Sequence, residues 1–239
     1  MKIDKETCIG CEDCHPYCTV GAIAAVEGSD EPVSEINQEE CVECGVCLRA
    51  EVCPVDAIYM PELEWPRIIR AQFSDPLIQH PSTSIGGRGT EEIKTNDVTD
   101  RLGSGFAGIA IELGRPGVCT TLRDLQTISM ALAKLGGIEF EPENPVTAIM
   151  TDTKTGKIRD DVLDEKMLSA IIEFGIELSR LNEVLATLKE AATKIDTVFS
   201  LDVASRVNPD GTIPHVPIAT ACGFTPRPNT KTNVGLGRP

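Results

Sequence analysis

The chain has 239 residues and carries 37 Asp and Glu against 22 Lys and Arg, a formal net charge of −15. Such an acidic surface argues against a nucleic-acid partner, because phosphate binding draws on positive charge. No run approaches the roughly 18 apolar residues expected of a membrane span, and the length leaves room for two domains.

The first residues, Met1-Lys2-Ile3-Asp4, hold no apolar run of the signal-peptide kind, so a cytoplasmic location is expected. Cysteines follow at once. Cys8, Cys11, Cys14 and Cys18 form one run, and Cys41, Cys44, Cys47 and Cys53 a second, so eight of the ten cysteines lie within the first 53 residues. Each run opens as C-x2-C-x2-C and closes with one more cysteine a few residues on. That spacing suits thiolates wrapped around a cubane of iron and sulfide. Disulfides would need an oxidising compartment. Zinc would suit pairs of C-x2-C sites, but the third cysteine at another x2 step in both runs fits iron–sulfur better.

The two runs belong to a longer repeat. Lys2 to Cys11 aligns with Glu35 to Cys44, and Cys18 to Ile23 aligns with Cys53 to Ile58. Each half reads as strand, cysteine loop, short helix, strand. A segment of about 60 residues with few aromatics could hardly bury an adequate apolar core by itself, so its core is expected to be mostly inorganic.

On these residues, positions 1 to about 60 resemble the bacterial-type ferredoxins with two 4Fe–4S clusters. In that family the fourth cysteine of each run ligates the other cluster. The resemblance therefore implies one cluster on Cys8, Cys11, Cys14 and Cys53, and a second on Cys41, Cys44, Cys47 and Cys18. Spacing by itself does not show the crossing. Two departures stand out. Thr19 follows Cys18 where the family usually has proline, whereas Cys53 keeps Pro54. Five residues, Leu48 to Val52, separate the last two cysteines of the second run, where the first run has three. Neither removes a thiolate.

Residues 1–64 hold fifteen Asp and Glu against Lys2, Lys5 and Arg49, a net −12 of the total −15. A redox partner with a basic docking surface is expected, since complementary fields speed encounter.

Beyond Met60 the chain reads as a linker and a Gly/Pro-rich loop over 61–104. Gly86-Gly87-Arg88-Gly89-Thr90 could cradle an anion, but it lacks both the G-x-G-x-x-G order and the P-loop lysine. Arg115-Pro116-Gly117, just before a helix capped by Thr120 or Thr121, is a similar candidate.

Over 105–205 the pattern predicts a strand at Phe106–Leu113 and a helix from Leu122 to Leu135 stopped by Gly136-Gly137. A strand at Ile138–Glu141 and a hairpin partner at Val146–Met150 follow. Next come a long helix from Asp164 to Ile195 and a strand at Thr197–Ala204. This order is that of a split βαβ domain, so the fold class is α+β: a two-cluster ferredoxin domain with a pseudo-twofold repeat, then a split βαβ domain. In the long helix, Ile171, Phe174, Leu178, Leu181, Leu185, Leu188, Ala192 and Ile195 step by threes and fours. That seam points to a homo-oligomer through 164–195; an ordinary amphipathic core helix is the alternative. Residues 206–239, rich in proline and glycine, read as an extended tail. Cys119 and Cys222, outside the runs, read as packing cysteines, with a redox or ligand role as the alternative. His15 reads as a surface residue that tunes hydration or docking, and His80 and His215 lack metal-ligand spacing.

These readings lead to an iron–sulfur protein or subunit that passes single electrons to or from a larger redox enzyme. The rival is a reductase with its own small-molecule site near Gly86 to Thr90, Arg115 and Cys119.

Overall fold

The computed structural model describes residues 1–28, 32–84, 86, 102–115 and 117–228. The Gly87 to Thr90 part of the proposed anion loop, Pro116 and the end of the tail from 229 lie outside them.

The repeat is visible as paired strands. β1 (Lys2–Ile3) runs antiparallel to β4 (Ile58–Tyr59), and β2 (Ile23–Ala25) to β3 (Ser34–Ile36). In one half the short helix is a single 3-10 turn, His15–Tyr17; in the other it is α1, Val46–Arg49. Left-handed backbone recurs at matching positions: Gly10 and Glu43, Glu12 and Gly45, Gly21 and Asp56. The two-residue insertion adds a further left-handed residue, Glu51. Cys14, Cys41 and Cys47 are buried in a small core with Met1, Ala22, Ile23, Ile36 and Ile58, and Cys18 and Cys53 pack against it.

The expected linker contains a helix, α2 (Ile68–Ser74). Its Ile69 and Phe73 are buried in the main core, and Arg70 points the other way, into the cysteine region. An Ile–Ile–x–x–x–Phe run is too short to register as periodic, which is why the sequence reads there as a loop.

The main core lies on a four-stranded antiparallel sheet. β5 is Phe106–Leu113, β7 Glu139–Phe140, β11 Ala170–Glu177 and β12 Phe199–Ser205, and they stand side by side in the order β12-β5-β11-β7. A short strand, β6 (Thr120–Thr121), pairs with β10 (Lys166–Met167). Two helices close the core. α3 (Leu122–Ala133) buries Leu122, Leu125, Ile128 and Leu132 fully, and α5 (Leu181–Ala192) buries Leu181, Val184, Leu185 and Leu188. They meet Ile109, Ile111 and Leu113 of β5 and Ile172, Phe174 and Ile176 of β11, alternate residues that share one face of the sheet. Thr121 caps α3, its hydroxyl accepting the Asp124 N–H at 3.2 Å.

Three expectations need correction. The helix over 164–195 does not exist as one element. Ala170–Glu177 is a central strand, Leu178–Arg180 a 3-10 turn, and only Leu181–Ala192 is helical. The strand alternates, with Ala170, Ile172, Phe174 and Ile176 on the core face and Ile171, Glu173, Gly175 and Glu177 on the other. Ile171 and Phe174, from opposite faces, run on by steps of three and four into the real helix. Its β-branched Ile171, Ile172 and Ile176 favour the extended form, and Gly175 disfavours a helix interior. The oligomer expected through that helix loses its premise. Second, Val146–Met150 is not a strand. α4 (Pro145–Ala148) is a helical turn, with Asn144 as cap accepting the Val146 N–H at 2.7 Å, and the hairpin forms one step later between β8 (Met150–Asp152) and β9 (Lys157–Ile158). Third, the tail is not extended throughout. α6 (His215–Ala221) lays Ile218, Ala219 and then Cys222 and Phe224 on the core, with Pro217 in its first turn, where proline is tolerated.

Candidate metal centre

The cysteine loops converge because β1 and β4 bring the end of the second half against the start of the first. A cavity of about 310 Å³, its open mouth included, is lined by Cys8, Cys11, Cys14 and Cys53, with Ile3, Ile9 and Glu12 around them. Three of its thiols come from one run and the fourth from the other. Burial pushes the Cys14 thiol up, and Cys11, Cys53 and Cys8 push the same way. The second group is its counterpart. Burial raises the Cys47 thiol to about 11, and its neighbours Cys44, Cys41 and Cys18 add to the rise. Cys41 is raised by burial as well.

Four sulfurs around one space repel each other once ionised, and a cationic core relieves that repulsion. Backbone donors already face the sulfurs. The Ala22 N–H donates to Cys18 Sγ at 3.0 Å, and the equivalent Ala57 N–H donates to Cys53 Sγ at 3.2 Å. The Ser34 N–H meets Cys8 Sγ at 3.4 Å, and His15 Nε2 holds the Ser34 hydroxyl at 2.9 Å. Thiolate sets with N–H donors suit iron–sulfur clusters. Among the described residues no three His, Cys, Asp or Glu groups stand close enough to hold a single metal ion. The two thiol sets with their N–H donors fit iron–sulfur clusters by the chemistry of their ligand atoms.

Thr19, the departure from proline, places its hydroxyl 3.4 Å from Cys44 Sγ. The hydroxyl and that sulfur are placed to share a hydrogen bond, in which either atom can donate.

Several residues around that group gave no signal in the sequence. Arg70 donates to the carbonyls of Cys41 at 2.8 Å, Glu39 at 2.9 Å and Gln38 at 3.2 Å, and forms an ion pair with Glu165. Arg67 donates through Nε to Glu43 at 2.8 Å, and the Met1 amine pairs with the other Glu43 oxygen. Lys166 pairs with Glu40, and Arg49 with Asp75 at 2.8 Å.

The other candidates disperse. Arg115 is engaged by Glu112 at 2.6 Å. Cys222 donates to Asn182 Oδ1 at 3.1 Å, His215 Nδ1 meets the Ser205 hydroxyl at 2.6 Å, and His80 Nδ1 the Ser82 hydroxyl at 2.8 Å. Cys119 is buried, with its thiol raised to about 11 by that burial; Lys166 opposes the rise, and Cys44, Glu40 and Cys18 reinforce it. It therefore stands on the side of the second group.

Residues 1–60 match the family model of the 4Fe–4S dicluster domain, and they are a ferredoxin-type iron–sulfur domain. The remainder is unassigned. Curated relatives align with the same segment. They include the pyruvate synthase subunit PorD of Methanothermobacter marburgensis, 40% identical over 58 residues, 24% of this chain and 60% of that protein. Ferredoxin-1 of Rhodobacter capsulatus is 48% identical over 44 residues, 18% of this chain and 62% of that protein. A subunit of the ion-translocating oxidoreductase complex of Methanosarcina acetivorans is 43% identical over 51 residues, 21% of this chain and 17% of that protein. The chain thus spans less than two thirds of each of these relatives. No solved structure matches it.

Proposed function

We propose that the chain is an electron-transfer protein or subunit with two 4Fe–4S clusters, exchanging single electrons with a larger redox enzyme complex. Cys8, Cys11, Cys14 and Cys53 would hold one cluster, and Cys41, Cys44, Cys47 and Cys18 the other. When bound, such clusters supply one-electron chemistry. The observation that carries this reading is the crossed neighbourhood: Cys53 lines the cavity of the first run, and Cys18 is felt by Cys47 of the second. Relatives named as subunits of a pyruvate synthase and of an ion-translocating oxidoreductase complex support a larger enzyme as partner. Reduced thiols also suit a cytoplasmic setting.

In this reading the strand order β12-β5-β11-β7, with α3 and α5 on one face, is a split βαβ body. Its role is to brace the second cysteine group through Glu165 and Lys166.

Anaerobic purification, iron counting and EPR test the proposal. The intact chain should hold about eight irons, and Cys53→Ser and Cys18→Ser should each lose about four, with loss of a different EPR signal. Fewer than about five irons in the intact chain defeats the cluster reading. Loss of the same signal in both variants defeats the crossing.

A further inference from the structure

We propose that the half of the domain around Cys8 to Cys14 is the docking face for a redox protein that presents basic residues around an apolar centre. The inference rests on the electron-transfer reading above and adds where the partner sits.

Matching positions of the repeat have opposite fates. Ile9 is 55% exposed and lies at the mouth of the Cys8–Cys53 cavity, whereas Val42, its equivalent, is 1% exposed. Cys11 is exposed, but Cys44 is only partly so. Glu43, the equivalent of Gly10, is fully buried under the Met1 amine and Arg67. The second group is closed in by Arg70 and Glu165 and by Lys166 and Glu40. A partner can come close to a redox group only where little protein covers it, and that is the first half.

The open half also has the right charge. Glu6, Glu12 and Asp13 are exposed and stand around Ile9 and Cys11 in the chain; none makes an ion pair among the described residues. Lys5 is already engaged by Glu35 at 3.0 Å. Free carboxylates around one exposed aliphatic side chain favour a basic rim around an apolar contact, where charge steers encounter and the apolar centre excludes water.

Ferricytochrome c, a basic haem protein, serves as the probe. Its affinity for the cluster-loaded chain, with both proteins oxidised, is measured by calorimetry at low and high ionic strength. The lobe variant is Glu6→Lys/Glu12→Lys/Asp13→Lys. The control, Glu139→Lys/Glu143→Lys/Asp196→Lys, makes the same change in net charge on the sheet body, where all three residues are exposed. At low salt the lobe variant should bind at least about tenfold more weakly, the control should stay within about threefold of the parent, and the difference should shrink as salt screens the charges. Equal weakening of the two variants, or a lobe variant that binds like the parent, overturns the docking face. Iron content and EPR are taken on the same samples. Intact clusters with equal binding defeat this inference alone, whereas a parent without clusters defeats the proposed function. Should the triple reversal lose iron, Glu12→Gln/Asp13→Asn replaces it, with weakening of about threefold expected and none overturning the proposal.

Discussion

Ile9 and Val42 each follow the first cysteine of their loop, yet one faces solvent and the other is covered. Their side chains are alike, so the cause lies elsewhere. Arg67 just ahead of α2, Arg70 on it, and Glu165 and Lys166 ahead of β11 grip the second loop and leave the first alone. The neighbouring position shows how each half adapts. Gly10 leaves room for the Pro32 carbonyl, which a Cβ would meet at 2.3 Å, whereas Glu43 uses the same left-handed backbone to reach two cations. The repeat thus supplies ligands twice, and the unrepeated part of the chain makes the two halves unequal.

That inequality can be broken most severely by taking iron away. Metal binding to such loops is folding energy, so stripping the iron should abolish hydrogen-exchange protection across residues 1–60. The sheet with α3 and α5 has its own apolar core and should stay protected. Equal loss in both regions would show that they fold as one unit.

Arg70→Ala is next. It leaves Glu165 without its ion-pair partner and the Glu39 and Cys41 carbonyls without their guanidinium donor, and should cost about 3 kcal/mol in denaturant unfolding. It should disturb the EPR signal lost in Cys18→Ser and spare the one lost in Cys53→Ser. Val42→Ala should cost about 2 kcal/mol, while Ile9→Ala should be nearly neutral, because only the former leaves a buried void. Similar costs would contradict the difference in cover.

The smallest effect concerns Thr19. Its hydroxyl can donate to a ligated Cys44 thiolate, and such a bond favours the more negative, reduced state. Thr19→Val should lower the midpoint potential of the covered cluster by about 40 mV, taking roughly 1 kcal/mol for the bond and about 59 mV per tenfold change for one electron. The other cluster should not move in an EPR-monitored titration.

The cysteine pattern, its repeat and the Thr19 departure were legible because cluster ligation is local: a few fixed steps along the chain define it. The strands Phe106–Leu113 and Phe199–Ser205 and the helix from Leu122 were legible for a similar reason, since each has one dominant period and the helix also has a cap. Ala170–Glu177 was not, because Ile171 and Phe174, on opposite faces of the strand, continue by steps of three and four into the true helical stripe of Leu181, Leu185 and Leu188. Arg70 was invisible for a different reason. Its partners lie about 30 and 95 residues away, and nothing in a basic residue on a seven-residue helix says which carbonyls it will meet.

α2 looks both ways, with Ile69 and Phe73 inside the sheet core and Arg70 inside the cysteine region. A cut after residue 60 would therefore fall at the edge of the repeat but not at the edge of a self-sufficient piece. The released fragment would leave Glu43 without Arg67 and the Cys41 carbonyl without Arg70. The remainder would keep a guanidinium built for carbonyls that had gone. The cysteine repeat is thus a fixture of this chain, held by a fitting that lies outside the repeat.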